Sequence, residues 1–163
     1  MEALAHLYSP IGMLALRGSD AGLHAVQFLD HNAVVPTPAA DLAACLQEPH
    51  RQLLAYFGGE LREFALTCAP LGGTDFQRQV WATLASIGHG RTVSYLDVAR
   101  LLNNPKSVRA VGAANGQNPL AIVWPCHRVI GADGSLTGYA GGLLRKRWLL
   151  AFEQPERQGS LFG

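Results

Sequence analysis

Residues 71–77 constrain this chain more than any other stretch. Leu71-Gly72-Gly73 reads as a linker, and Thr74-Asp75-Phe76-Gln77 directly after it is a capping box. In that arrangement the Thr74 hydroxyl and the Gln77 side chain satisfy each other's free backbone amides and start a helix. A joint followed by a helix start near mid-chain divides the sequence into two lobes, and 163 residues that are 48% apolar are enough for two small cores. The reading is therefore an α+β chain: an N-terminal lobe over residues 1–70, a mainly helical domain over 71–153, and a tail over 154–163.

The lobes differ in charge. Up to Gln77, three arginines stand against eight carboxylates, a net of −5; from Arg78 to Arg147, nine Lys and Arg stand against Asp97 and Asp133, a net of +7. A polyanion is drawn to the second part and repelled by the first, so nucleic acid is a candidate partner of residues 78–147. Pairing of an acidic lobe with a basic one would leave the same imbalance.

Composition excludes several classes. No stretch approaches the roughly 20 apolar residues of a membrane span, and Met1-Glu2-Ala3-Leu4-Ala5-His6 lacks a basic segment leading into an apolar run, so a cytoplasmic protein with no membrane association is expected. Cys45, Cys68 and Cys126 are too few and too scattered for a disulfide framework, and none has zinc-ligand spacing. No metal is expected.

In the first lobe, Ile11–Leu16 and Leu23–Phe28 are strand-like runs around Gly18-Ser19-Asp20-Ala21-Gly22, which predicts a hairpin. Helices are expected over 39–47 and 50–57, separated by Pro49 and stopped by Gly58-Gly59, with a short strand near Phe64-Ala65-Leu66. Nothing in this lobe reads as chemistry, and Cys45 and Cys68 read as small buried hydrophobes.

In the second, Phe76, Val80, Leu84 and Ile87 share a helical face, a second helix runs from about Ser94 to Leu102, and Asn103-Asn104 turns into a third that Pro105 opens. Two short helices across a tight polar turn make a helix-turn-helix candidate. Apart from Lys106 and Arg109, the third helix is almost all Ala and Gly on its outer face, including Ala110, Gly112 and Ala113. Such a surface suits either a tightly packed internal helix or close approach to a minor groove about 6 Å wide.

Residues 118–128, Asn-Pro-Leu-Ala-Ile-Val-Trp-Pro-Cys-His-Arg, read as a buried apolar strand that delivers Cys126 at its end. A thiol becomes a good nucleophile as its thiolate, which needs a base or nearby positive charge, and His127 and Arg128 offer both. Neighbours on a strand face opposite ways, so a working Cys126–His127 pair would need a turn or a bridging water here.

Pro125-Cys126-His127-Arg128-Val129, followed by Gly138-Tyr139-Ala140-Gly141-Gly142, resembles the active site of the O6-alkylguanine-DNA alkyltransferases. The resemblance runs over roughly residues 70–153, through Asp75-Phe76-Gln77, Val93-Ser94-Tyr95, Arg109-Ala110-Val111-Gly112, Asn118-Pro119 and Arg145-Lys146-Arg147-Trp148-Leu149-Leu150. Residues 1–70 are similar only in general plan to that family's ribonuclease-H-like lobe.

The resemblance implies a single-use DNA-repair methyltransferase without a cofactor, acting on double-stranded DNA that contains alkylated guanine; O4-alkylthymine stays open as a second substrate. Cys126 would accept the alkyl group by in-line displacement. His127, through a water, would take the thiol proton, Glu153 would hold the imidazole tautomer, and Tyr95 would donate a hydrogen bond to the departing guanine. Asn118 would stabilise the turn behind the active site, and Val129, Tyr139 and Ala140 would line the base pocket. DNA would be held by Ser94, Lys106, Arg109, Ala110, Gly112, Ala113 and Arg128, with the third helix of a winged-helix-like motif in the minor groove and Arg109 filling the space of a flipped base. Trp124, where relatives carry a small aliphatic residue, and Arg147, where many carry an acid, depart from the pattern.

Three rivals differ in chemistry. A non-catalytic alkyltransferase-like protein would lack Cys126, a cysteine hydrolase would turn over repeatedly, and a helix-turn-helix regulator would prefer one DNA sequence. The tail's Gln158-Gly159-Ser160-Leu161-Phe162 resembles a peptide by which bacterial proteins dock on the sliding clamp, which leaves two readings: a clamp is a second partner, or Leu161 and Phe162 pack on their own protein.

Overall fold

The computed structural model describes residues 1–30 and 34–154. The expected clamp peptide, residues 158–162, lies outside the described residues. The chain divides into two compact units: Met1–Gly72 together with Pro119–Val123, and Gly73–Asn118 together with the chain from Trp124 onward.

The first unit is built on an antiparallel meander of β1 (Ala3–Ser9), β2 (Gly12–Ser19) and β3 (Gly22–Phe28). The hairpin forms as the sequence predicts, and a strand not foreseen precedes it. In β1, Ala5, Leu7 and Ser9 are buried while Leu4 and Tyr8 face out, the alternation of an edge strand with one wet face. Leu7 stands opposite Leu14, and Leu16 opposite Val26.

Helix α1 (Ala44–Phe57) packs on this sheet through Leu46, Leu53 and Tyr56, all fully buried. Two helices broken at Pro49 were expected; one continuous helix forms, preceded by a 3-10 turn at Ala39–Asp41. A proline inside a helix loses a backbone bond. Here the buried stripe spans both sides of Pro49, and burial at roughly 1.5–3 kcal/mol per large side chain outweighs that loss. The strand expected at 64–66 is absent; instead Cys68 makes an isolated bridge to Leu23 two residues further on. Cys45 and Cys68 are half-buried rather than core residues.

Residues 119–123 join the same unit beside β3: the Val26 amide donates to the Pro119 carbonyl at 2.9 Å, and the Ala121 amide to the Val26 carbonyl at 3.1 Å. Leu120 and Ile122 are buried there. Ile122 has a φ of 72°, a conformation that costs a β-branched residue about 1–3 kcal/mol.

The second unit holds α2 (Asp75–Leu84), α3 (Tyr95–Leu101), α4 (Val108–Gly116) and α5 (Leu143–Phe152), with a short parallel pair of β4 (Val93–Ser94) and β5 (Val129–Ile130). Its core gathers Val80, Trp81, Leu84, Ile87, Val98, Ala99, Val111, Ala114 and Val129. The capping box opens α2 as the sequence predicts, with the Gln77 amide donating to Thr74 Oγ1 at 3.1 Å and the Thr74 amide to Gln77 Oε1 at 2.9 Å. A second box, unforeseen, opens α3: Ser94 and Asp97 exchange bonds of 2.9 and 3.0 Å.

The α3–α4 turn passes through Asn103 at φ 57°, a left-handed position that asparagine tolerates, and a 3-10 turn at Pro105–Ser107 leads into α4. The third helix therefore starts at Val108 rather than at Pro105. Among the described residues, no helix is long and apolar enough to cross a membrane.

Candidate active site

Residues 118–128 are a series of tight turns, not the expected strand. Pro119 and Pro125 remove two backbone donors, which a strand inside a sheet cannot spare. Apart from the two bonds to Val26 beside β3, the segment is held by local ones: Asn118 Nδ2 donates to the Trp124 carbonyl at 2.7 Å, the Val123 amide to Ala121 at 2.8 Å, and the Cys126 amide to Trp124 at 2.7 Å. The segment ends in a 3-10 turn at Cys126–Arg128. With three residues per turn, successive side chains leave such a helix about 120° apart, so Cys126, His127 and Arg128 point in three directions. All three are buried.

His127 and Arg128 converge on Glu153, which stands at the C-terminal cap of α5. His127 Nε2 lies 2.9 Å from Glu153 Oε2; Arg128 donates through Nε to Oε1 at 2.8 Å, through Nη2 to Oε2 at 2.9 Å, and through Nη1 to the Ile87 carbonyl at 2.6 Å. Burial alone would raise the Glu153 carboxyl, but the bonds from His127 and Arg128 prevail and hold it far below the usual carboxylate range. Burial pulls the His127 imidazole down, against the opposing pull of Glu153, so the neutral ring is the resting form. A neutral ring that donates from Nε2 keeps its lone pair on Nδ1. That atom is buried and makes no protein hydrogen bond.

Burial pushes the Cys126 thiol up, opposed by a hydrogen bond from Asn118 and by the charge of Lys146. The resting group is therefore the thiol. Asn115, 3% exposed on the inner side of α4, donates through Nδ2 to the Cys126 carbonyl at 3.3 Å and ties the Cys126 turn to that helix.

Tyr95 and Tyr139 both pack against the core cluster that contains Cys126. The Tyr139 hydroxyl is buried, and burial drives its pKa well above the usual value. Tyr95 accepts a 2.8 Å hydrogen bond from Thr137 Oγ1, and Lys146 Nζ stands 6.0 Å from the centre of its ring. Lys146 also donates to the carbonyls of Val129, at 2.7 Å, and Thr137, at 3.1 Å. Val129 is buried, whereas Ala140 is exposed.

On the helix-turn-helix, Lys106, Arg109, Ala110, Ala113 and Gly116 form an exposed face with no bulk except the two cations. Three residues expected at the DNA surface have neighbours or partners within the protein. Arg128 is 5% exposed and committed to Glu153, because a buried carboxylate needs a buried counter-charge. Gly112 is half-buried, and a Cβ on it would come to 3.9 Å from Tyr95 Cδ1. Ser94 uses its hydroxyl as the cap of α3. Trp124 packs as a ring stacked on Trp81, centroids 6.0 Å apart, and Trp81 Nε1 donates to the Ala114 carbonyl at 2.8 Å.

Asn115, Thr137 and Lys146 escaped sequence reasoning as site residues. Lys146 had a signal: with Leu149 and Glu153 it falls at helical spacing on the buried face of α5, where a cation needs a reason. Asn115 and Thr137 had none. Among the described residues no group of three or more His, Cys, Asp or Glu is placed to hold a metal ion.

This arrangement has relatives. A family described as "6-O-methylguanine DNA methyltransferase, DNA binding domain" matches residues 75–155, and "6-O-methylguanine DNA methyltransferase, ribonuclease-like domain" matches residues 4–70. The methylated-DNA–protein-cysteine methyltransferase of Methanosarcina acetivorans is 47% identical over 147 residues, which cover 89% of this chain and 94% of that protein. That of Mycolicibacterium paratuberculosis is 46% identical over 159 residues, covering 94% and 93%. The crystal structure of Mycobacterium tuberculosis O6-methylguanine methyltransferase matches with a TM-score of 0.82 at 41% identity over 100% of both chains. That of Mycobacterium tuberculosis OGT in complex with DNA matches at 0.81 with 45% identity, over 91% of each. With both lobes matched and near-complete coverage of its relatives, the chain belongs to the 6-O-methylguanine DNA methyltransferase family.

Proposed function

We propose that this protein repairs alkylated guanine in DNA by moving the alkyl group from O6 onto its own Cys126, once per molecule. The observation that carries the reading is the buried His127–Glu153 pair beside Cys126. A thiol whose pKa burial has raised must lose its proton during attack, and the Nδ1 lone pair of neutral His127 is the base, relayed by a water. Sulfur attacks the alkyl carbon, the carbon–O6 bond breaks, and its electron pair passes to the guanine. The proton that left the thiol balances that charge on the base, so thiol and O6-alkylguanine become thioether and guanine. Tyr95 donates to the departing base. No thiol exchange or ordinary hydrolysis reopens a thioether, so the protein is consumed.

Cys126 is buried and cannot reach a base stacked in a duplex, so the lesion must flip out, at a cost of a few kcal/mol. The small exposed face of α4 fits a minor groove, and Arg109 at its edge would occupy the vacated stack. Tyr139, Val129, Ala140 and Asn118 would shape the pocket. A cytoplasmic setting suits a nucleophile that must stay reduced, and a sliding clamp as second partner rests on the sequence of residues 158–162 alone.

Intact-protein mass spectrometry after incubation with an O6-methylguanine duplex is the test. One methyl mass per protein is expected, on the peptide that contains Cys126 and absent from Cys126→Ala. Repeated turnover, or label on Cys45 or Cys68, would refute the mechanism.

A further inference from the structure

Lys146 is the least expected residue in the molecule. It is fully buried, and the hydrogen bonds found for its ammonium go to two backbone carbonyls. A cation taken from water without a buried counter-ion costs several kcal/mol, and a Met or Leu would fill the same volume more cheaply. Its neighbours suggest what the charge does. The carbonyls belong to Val129 on β5 and Thr137 in the segment before α5, so the ammonium clamps two chain segments that flank Tyr95. The Thr137 side chain donates to the Tyr95 oxygen at 2.8 Å, and the ammonium sits 6.0 Å from the ring centre. A phenol that accepts from Thr137 has its own proton free for another acceptor.

We propose that Lys146 and Thr137 are positioning residues that present the Tyr95 hydroxyl as hydrogen-bond donor to the departing guanine. The inference rests on the reading of Tyr95 given above and extends it to two residues that touch neither sulfur nor base. As the carbon–oxygen bond breaks, the electron pair moves onto the purine, and a donor held in place by a buried cation stabilises that charge without reorganising. Lys146 thus acts chiefly on the leaving group, and the pull of its charge on the buried Cys126 thiol is the smaller effect.

Single-turnover rates with two methyl donors separate the possibilities: an O6-methylguanine duplex, which leaves as guanine, and methyl iodide, whose iodide needs no proton donor. For Lys146→Met we expect transfer from the duplex to slow at least tenfold, while methylation of Cys126 by methyl iodide stays within about twofold. Thr137→Ala, at an exposed position where folding is not at stake, should show the same split at three- to tenfold. In a Tyr95→Phe background neither substitution should slow the duplex reaction by more than about twofold further. Equal slowing with both donors would assign Lys146 to the thiol and overturn the inference, as would full multiplication of the effects with Tyr95→Phe. If Lys146→Met does not fold, Thr137→Ala decides alone: an unchanged duplex rate overturns the inference. An unchanged rate for Tyr95→Phe itself would remove the donor and the inference together, leaving transfer to Cys126 intact.

Discussion

At the residue scale, Glu153 neutralises Arg128 and holds His127 at once. Breaking a buried ion pair by removing one partner costs about 3–5 kcal/mol, since the other charge is left uncompensated. Glu153→Gln is expected to lower the unfolding free energy by that order in a denaturant melt and to slow methyl transfer. A loss below about 1 kcal/mol would show that Arg128 finds other partners. The pH dependence follows from the same shifts. His127 has a folded pKa below its unfolded value near 6.5, so the unfolded chain binds more protons as pH falls below about 6.5, and stability declines on that side. The depressed Glu153 carboxyl adds a second loss once pH drops below about 4.5, its usual value. For the reaction, the neutral base persists below the ordinary imidazole range. The acid limb of the single-turnover rate should therefore lie below pH 6.5, and a limb above pH 7 would contradict the assignment of His127 as a neutral base.

At the element scale, α4 has two faces of different character. Val111, Ala114 and Asn115 face inward, and Asn115 reaches the Cys126 carbonyl; Arg109, Ala110, Ala113 and Gly116 face outward. Arg109→Ala should slow repair of duplex DNA far more than reaction with a free O6-alkylguanine base, because only the duplex requires flipping; equal slowing would remove Arg109 from that role. Bulk on the outer face tests the groove reading from the other side. Ala113→Leu changes no buried contact, so its thermal midpoint should stay within a few degrees, while its affinity for duplex DNA falls. Unchanged affinity would show that α4 does not enter a groove.

At the scale of the whole molecule, the two units are not independent in sequence. The first recruits Pro119–Val123 from the middle of the second, where Leu120 and Ile122 are buried. A fragment cut at Gly72 would keep those residues but not their neighbours beside β3. At roughly 1.5–3 kcal/mol for each large apolar side chain returned to water, the fragment 73–163 is expected to melt well below the full chain. An equal melting temperature would show that residues 119–123 contribute nothing to stability. Charge also looks different at this scale. Of the nine cations between Arg78 and Arg147, Arg128 and Lys146 are buried, so fewer face a polyanion than the sequence count suggests. The family's activity, methyl transfer from DNA to a protein cysteine, needs that basic surface and the buried chemistry on one chain, and the sequence divides its cations between the two uses.

What the sequence alone determined was whatever depends on neighbours along the chain. The Thr74–Gln77 cap, the β2–β3 hairpin, the turn at Asn103 and the Pro125–Val129 string were all legible, because capping, alternation and turn chemistry act over a few residues. The long series of matched segments made the family legible as well. Only the tertiary structure decided the rest. That α1 runs through Pro49 depends on a sheet to cover its apolar stripe, and that residues 118–128 turn rather than extend depends on Asn118 and on burial beside β3. Arg128 reads as a DNA-facing cation until Glu153, 25 residues away, is brought to 2.8 Å. Lys146 becomes more than one charge among nine only when Val129, Thr137 and Tyr95 surround it. Burial and long-range pairing set the energy of a charged group, and neither is written locally in the chain.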